Sequence, residues 1–138
     1  MPQPTTRARR TGHPGYSETL PRQPESAAPA RRLVRAACAV WRLDDLAEDG
    51  ALIVSELVSN AVQHARRDSI RVVIDRPGPG RVRVGVVDFS TTRPVRKTPG
   101  PEDKGGRGLA LVNELAESWG ADPLPWGKRV WAELEGKR

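Results

Sequence analysis

The chain has 138 residues, 29% of them charged, and a single cysteine, so it can bury the core of one domain but cannot form an internal disulfide. Its formal net charge is +6, and residues 1–32, with six arginines against two glutamates, account for +4 of it. The basic residues have no interleaved aromatics, and no apolar run approaches the ~18 residues of a membrane span. Direct nucleic-acid binding and membrane insertion are therefore disfavoured, and a cytoplasmic location is expected.

The N-terminal segment has the composition least suited to forming a folded core. Residues 1–16 are rich in Pro, Gly, Thr and Arg and offer almost nothing to bury, which predicts a disordered basic tail before one folded domain over residues 17–138. Ser17 to Leu20 is predicted to form a short edge strand. Ser26 is then expected to cap a helix that runs to about Trp41.

The second helix is predicted to begin at Asp44-Asp45 and to end near Arg66. Its main part, ALIVSELVSNAVQHA, is apolar around most of its circumference, which is typical of a core helix. At ~100° per residue its polar members fall on one stripe, which consists of Ser55, Glu56, Ser59 and Asn60.

Glu56 and Asn60 are a carboxylate and a carboxamide four residues apart, ~6 Å along the helix axis. Solvent faces of helices are normally built from long Lys, Arg and Glu side chains, not from serine, asparagine and one acid. An amide oxygen can help to hold a hard cation while an acid handles a proton. We therefore interpret the pair as part of a functional site, and the alternative is a short polar solvent face.

The second half of the chain begins with a hairpin signal. Residues 69–76 and 81–88 each alternate apolar and polar side chains around a Pro-Gly-Pro-Gly turn, which predicts two antiparallel strands. Residues 89–104 are predicted to be a loop with little to bury. A third helix is expected from Leu109 to about Ser118.

Two further strands are predicted around Trp119–Ala121 and Lys128–Leu134, with Trp119 and Trp131 in the core. The resulting order of elements is β-α-α-β-β-α-β-β. This order predicts a two-layer α/β sandwich, in which a mixed, mostly antiparallel sheet carries the helices on one face.

Three segments together suggest a site. Besides the helix of Glu56, Asp88 ends the second hairpin strand, and Gly105-Gly106-Arg107-Gly108 leads into a helix N-terminus that suits a phosphate. Taken alone, Asp88 is more simply a turn residue, and a glycine-rich turn is weak evidence. The ordered combination of E-L-V-x-N-A-x-x-H, a strand ending in Asp, and GGRGLALV is much more specific.

On these motifs the chain resembles the small ATPase-domain proteins of the GHKL (Bergerat) fold, in the branch of anti-sigma-factor serine/threonine kinases, over roughly residues 17–135. The resemblance implies ATP and Mg²⁺ as cofactors. It implies that Glu56 is the general base, that Asn60 is a magnesium ligand and that Asp88 accepts a hydrogen bond from the adenine amino group.

The resemblance also implies a segment that wraps the phosphates, formed by Gly106, Arg107, Gly108 and Leu109. Lys104 is a cation available to neutralise the triphosphate, and Lys128 is expected near the nucleotide edge. The chain departs from the family after Asp88, because the usual Asp-x-Gly-x-Gly is here Asp88-Phe89-Ser90-Thr91-Thr92. Fewer backbone conformations are open to that segment without the glycines.

The expected function is that of a serine/threonine protein kinase that binds a sigma factor and phosphorylates an antagonist protein. A homodimer is a candidate form of the kinase. A nucleotide-gated binding module without phosphotransfer is the alternative that the missing glycines keep open. A third class, an ATP-hydrolysing part of a larger assembly, is disfavoured because the sequence predicts no second domain to be driven.

Overall fold

A computed structural model of the protein describes residues 5–8, 14–64, 67–89 and 106–136. It contains six strands: β1 (Thr5–Ala8), β2 (Pro14–Pro21), β3 (Ser69–Asp75), β4 (Arg81–Asp88), β5 (Ser118–Leu124) and β6 (Gly127–Glu135). Its α-helices are α1 (Ala27–Val40), α2 (Ala47–His64) and α3 (Gly106–Leu115). Short 3₁₀ turns at Pro24–Ser26 and Asp44–Leu46 lead into the first two helices.

The strands form one sheet in the order β1-β2-β3-β4-β6-β5, and every neighbouring pair in it is antiparallel. One cluster of buried apolar side chains joins all three helices to a single face of this sheet. We call this face the helix-facing side and the opposite face the outer side. The predicted two-layer α/β sandwich is confirmed.

Alternation along the strands decides which side chains form the core. On β4 and β6 the helix-facing rows are Val82, Val84 and Val86, and Val130, Ala132 and Leu134, all of them buried. Helix α2 packs against α1, α3 and β4, and it contributes Ile53, Val54, Leu57 and Val58 to the same core. None of the described helices is long and apolar enough to cross a membrane.

The N-terminal segment differs from its prediction at two places. Thr5–Ala8 pairs with the edge of β2, with Thr5 opposite Ser17 and Ala8 opposite Pro14, and β2 itself begins three residues before Ser17. The prediction of disorder is therefore wrong for these segments. Composition missed them because an added edge strand is held by backbone hydrogen bonds and needs few apolar side chains.

Two helix boundaries also need correction. Ser26 precedes α1 as predicted, but its hydroxyl donates to the carbonyl oxygen of Pro21 at 2.5 Å and makes no cap to the helix. Helix α3 begins at Gly106 instead of Leu109, because glycine is tolerated in a first turn whose N–H groups have no partner within the helix. It ends before Ser118, because the N–H of Glu117 already donates to the carbonyl of Glu133 on β6.

Trp131 lies on the outer side, so its predicted place in the core is wrong, whereas Trp119 packs against the core as expected. The indole of Trp131 has glycine directly across on both neighbouring strands, Gly85 and Gly120. A Cβ at Gly120 would come within 3.0–3.3 Å of the indole, so the ring lies flat across that strand. The guanidinium of Arg83 stacks over the same ring, 4.6 Å from its centroid.

Charges hold the outer side together. The carboxylate of Glu133 accepts hydrogen bonds from Arg81 at 2.8 Å and Arg83 at 3.0 Å. Burial on its own raises the pKa of Glu133, but these two hydrogen bonds outweigh it and hold the pKa below its usual range. Arg129 donates to Asp122 on the neighbouring edge strand at 3.0 Å.

Candidate functional site

Helix α2 positions Glu56 and Asn60 at the border between its buried and exposed surfaces, and both side chains are partly buried. The predicted single stripe is divided by the packing. Ser55 accepts a hydrogen bond from Arg31 of α1 at 3.0 Å, so that edge of α2 is turned towards α1. Asn60 lies about 140° around the helix from Ser55, at ~100° per residue, and Glu56 lies between them. Glu56 and Asn60 are therefore on the side of α2 away from α1.

The C-terminal end of α2 is fixed by Arg22, which sequence reasoning missed. Its Nε donates to the carbonyl of Arg67 at 2.7 Å, and its Nη1 donates to the carbonyl of Val62 at 3.0 Å. A cation at this end satisfies carbonyls that have no partner within the helix and complements the helix dipole. Because Arg22 is 40 residues from Val62, no local pattern could have identified the contact.

Asp88 is the last residue of β4 and is only 4% exposed. It follows Val84 and Val86 in the helix-facing row, so its carboxylate is on the side of the sheet that carries the helices. Ile70 of β3 and Lys128 of β6 lie directly across from it. A nearly fully buried carboxylate on this side of the sheet favours a functional role for Asp88 over the simple turn residue of the alternative interpretation.

The chain connections bring α2 to the Asp88 end of the sheet. Helix α2 ends at His64, β3 begins at Ser69, and Ile70 is already opposite Asp88. The half of α2 that carries Asn60 therefore lies at the end of the sheet where β4 finishes.

The N-terminus of helix α3 lies at the same end of the sheet. Only two residues separate its last residue, Leu115, from β5, so helix and strand run in opposite directions. Strand β5 finishes where Pro123 faces Lys128, which itself faces Asp88. The N-terminal turn of α3 is thereby directed to the Asp88 end, and α3 also packs against α2.

The predicted phosphate-binding residues form the first turn of α3. Gly106, Arg107 and Gly108 are its first three residues, and Leu109 packs against the core. Their backbone N–H groups have no acceptor within the helix, which is the arrangement that binds phosphate oxygens. Lys104 and the loop before it lie outside the described residues.

An aromatic pair next to Asp88 was not anticipated. The rings of Phe89 and Trp126 stack with centroids 5.4 Å apart and planes 21° from parallel. Gly127, the residue after Trp126, lets β6 approach β4 closely, because a Cβ there would overlap the carbonyl oxygen of Asp88. Trp126 is half exposed, so this pair borders the site on its solvent side.

The donor set fits a nucleotide with Mg²⁺. Glu56 and Asn60 supply oxygen atoms near a helix N-terminus, and a buried carboxylate supplies an acceptor for a base. In the described part of the chain no group of three or more His, Cys, Asp or Glu side chains is arranged to hold a metal ion. Asn60 would thus share Mg²⁺ with phosphate oxygens and water, which is the usual way in which proteins bind this ion.

The chain matches a protein family and resembles solved structures. The family model of the histidine kinase-like ATPase domain matches residues 20–132. Among solved structures, the chain is similar to the histidine kinase domain of the blue-light activated histidine kinase from Erythrobacter litoralis EL346, with a TM-score of 0.50 and 22% identity. That match covers 84% of this chain and 61% of the kinase domain, so the chain spans less than two thirds of it. The comparison with curated proteins finds no match.

Proposed function

The chain belongs to the histidine kinase-like ATPase family, and we propose that it is an ATP-binding regulator with serine/threonine kinase activity, which binds a sigma factor and phosphorylates the antagonist of that interaction. The observation that carries the proposal is the convergence of Asn60, the buried carboxylate of Asp88 and the first turn of α3 at one end of the sheet.

Each residue has a distinct role in this proposal. Asp88 accepts a hydrogen bond from the amino group of adenine, and the N–H groups of Gly106–Gly108 bind phosphate oxygens, with Lys104 nearby in sequence as a further cation. Asn60 would contribute its amide oxygen as a ligand of Mg²⁺. The bound ion would neutralise part of the phosphate charge.

Glu56 lies one helical turn before Asn60, so its carboxylate is close to the metal ligand and on the side of α2 away from α1. We assign it the proton of the incoming hydroxyl. A positioned general base contributes roughly 10²–10⁴ to a rate, whereas nucleotide binding depends mainly on Asp88, Asn60 and the α3 turn. Loss of Glu56 should therefore separate transfer from binding.

The experiment measures transfer of labelled phosphate from ATP to candidate antagonist proteins, with ATP affinity measured on the same preparations. We expect Glu56→Ala to keep ATP binding and sigma-factor binding while transfer falls by roughly 10²–10⁴. Glu48→Ala is the matched control, because Glu48 is an exposed acid on the same helix that pairs with Arg35. It should leave the transfer rate unchanged.

A binding module without transfer is the second candidate, favoured by Phe89-Ser90 in place of the family's x-Gly and by the packing of Phe89 on Trp126. If this candidate is right, the wild-type protein binds ATP and an antagonist but transfers no phosphate. That result would refute the proposed kinase activity. Undiminished transfer by Glu56→Ala would refute the role of Glu56 alone.

A further inference from the structure

Lys128 is a charged residue that the proposed function leaves without a role, although it lies directly across from Asp88. On β6, Val130, Ala132 and Leu134 alternate into the core, so Lys128, two residues before Val130, belongs to the same helix-facing row. Asp88 ends the corresponding row of β4. The two charged side chains therefore begin from adjacent positions on one side of the sheet.

The separation of the two residues is set by the backbone. Residues directly opposite in an antiparallel pair have Cβ atoms about 4.5–5.5 Å apart, which the long stem of a lysine easily spans. Gly127 fixes the pairing at this point, because its lack of a Cβ is what lets β6 begin against the Asp88 carbonyl. Lys128 is itself partly buried, so its stem is held against the protein.

The neighbours in the same row are apolar. Ile70 lies on the far side of Asp88 and is fully buried, and Pro123 lies on the far side of Lys128. The stem of Lys128 is long enough to bring its ammonium group to a base that reaches the Asp88 carboxylate on the helix-facing side.

A lysine within reach of the base changes which purines suit the site. A 6-aminopurine donates its amine to a carboxylate, whereas a 6-oxopurine presents an acceptor oxygen at that position. A carboxylate alone opposes that oxygen with a second acceptor. An ammonium has three N–H donors and no acceptor, so it can donate to the carboxylate and to the 6-oxo group together.

We propose that Lys128 is a base-specificity residue, which lets the Asp88 end of the site accept 6-oxopurine nucleotides as well as ATP. The inference rests on the proposed nucleotide site. It departs from the adenine selectivity that Asp88 alone would impose.

The test compares the dissociation constants of ATP, GTP and ITP, each with Mg²⁺, for wild type and Lys128→Met. ITP carries the 6-oxo group without the 2-amino group of guanine, so it isolates the oxygen. We expect wild type to bind GTP and ITP within about threefold of ATP, and Lys128→Met to weaken both by about tenfold relative to ATP, the usual scale of one charge-assisted hydrogen bond.

Two variants control for indirect effects. Arg129→Met removes a cation from the next residue, whose side chain points to the outer side and pairs with Asp122, and it should leave the nucleotide ratios unchanged. Lys128→Arg keeps a donor cation and should keep 6-oxopurine binding, which preserves a readout if the methionine variant folds poorly.

The inference is overturned if wild type binds ATP but already rejects GTP and ITP by tenfold or more, or if Lys128→Met leaves the ratios as they are. Those results would leave the nucleotide site intact. Wild type that binds none of the three nucleotides would overturn the proposed function itself.

Discussion

The two sides of the sheet are built differently. The helix-facing side is apolar along its rows and turns polar at its last row, where Asp88 and Lys128 lie. The outer side keeps charged and aromatic residues, and it is held by contacts such as those of Glu133 with Arg81 and Arg83. The proposed site therefore lies where the apolar rows of the helix-facing side end, whereas the outer side is held by paired charges.

The sharpest way to test this comparison is to make one substitution on both sides. Val72 and Val73 are neighbours on β3 and both are buried, but only Val72 belongs to the cluster that the helices cover. We expect Val72→Ala to lower the free energy of unfolding by roughly 2–3 kcal/mol, because it removes buried methyl groups and leaves a cavity. Val73→Ala should cost about 1 kcal/mol, because its surroundings can close in or admit water.

Urea unfolding of the two variants at one pH measures the difference directly. Equal losses would show that the outer side is packed as tightly as the core, and the comparison would then fail.

Gly127 offers a way to break the polar end without removing any side chain. A Cβ there would overlap the Asp88 carbonyl oxygen, so Gly127→Ala must push β6 away from β4. We expect a loss of about 1–3 kcal/mol in stability, the usual cost of overpacking, together with weakened nucleotide binding.

Gly78→Ala is the matched control for that variant, because a Cβ at Gly78 meets nothing nearer than 3.9 Å. It should leave thermal unfolding and ATP affinity close to those of wild type. A harmless Gly127→Ala would show that the register of Asp88 and Lys128 is not fixed by this contact.

The smallest expected effect concerns Glu133 on the outer side. Its folded-state pKa lies below the ordinary value of 4.5, so its contribution to stability is present above that value and is lost as the pH falls through the lowered pKa. Glu133→Gln should therefore cost on the order of 1 kcal/mol at pH 7, and this cost should shrink as the pH falls below 4.5 and through the lowered pKa.

Urea unfolding of wild type and Glu133→Gln at a series of pH values from 7 downwards gives the comparison. A deficit that persists unchanged at low pH would mean that the glutamate acts through packing and not through its charge.

The elements that depend on local patterns were predictable from sequence. The hairpin of β3 and β4 was predicted to within one residue, and α2 was recognised by its periodicity, because each buries one regular row of side chains. Trp131 was assigned to the core on residue type alone, although its alternation with Val130 and Ala132 would have placed it on the outer side. The first strand was missed because backbone pairing leaves little trace in composition.

The residues of the proposed site could be selected from the sequence, but the way in which the fold brings them together could not be predicted. Glu56, Asn60 and Asp88 were identified from motifs, and the structure brings Asn60, Asp88 and the first turn of α3 to one end of the sheet. The position of Lys128 directly across from Asp88 depends on strand register, and the contact of Arg22 with α2 depends on packing across 40 residues. Neither is set by the sequence around the residues themselves.

Cys38, the single cysteine of the chain, lies in α1, and the reactivity of its thiol reports how often that helix opens. The side chain is fully buried, and burial, aided by Asp44 and Asp45, raises its pKa to about 11. Thiol reagents attack the exposed thiolate, so the folded protein should react only through rare openings that free this helix. Because the chain has one cysteine, the rate of alkylation in native buffer becomes a direct reading of that opening equilibrium, with no label to introduce.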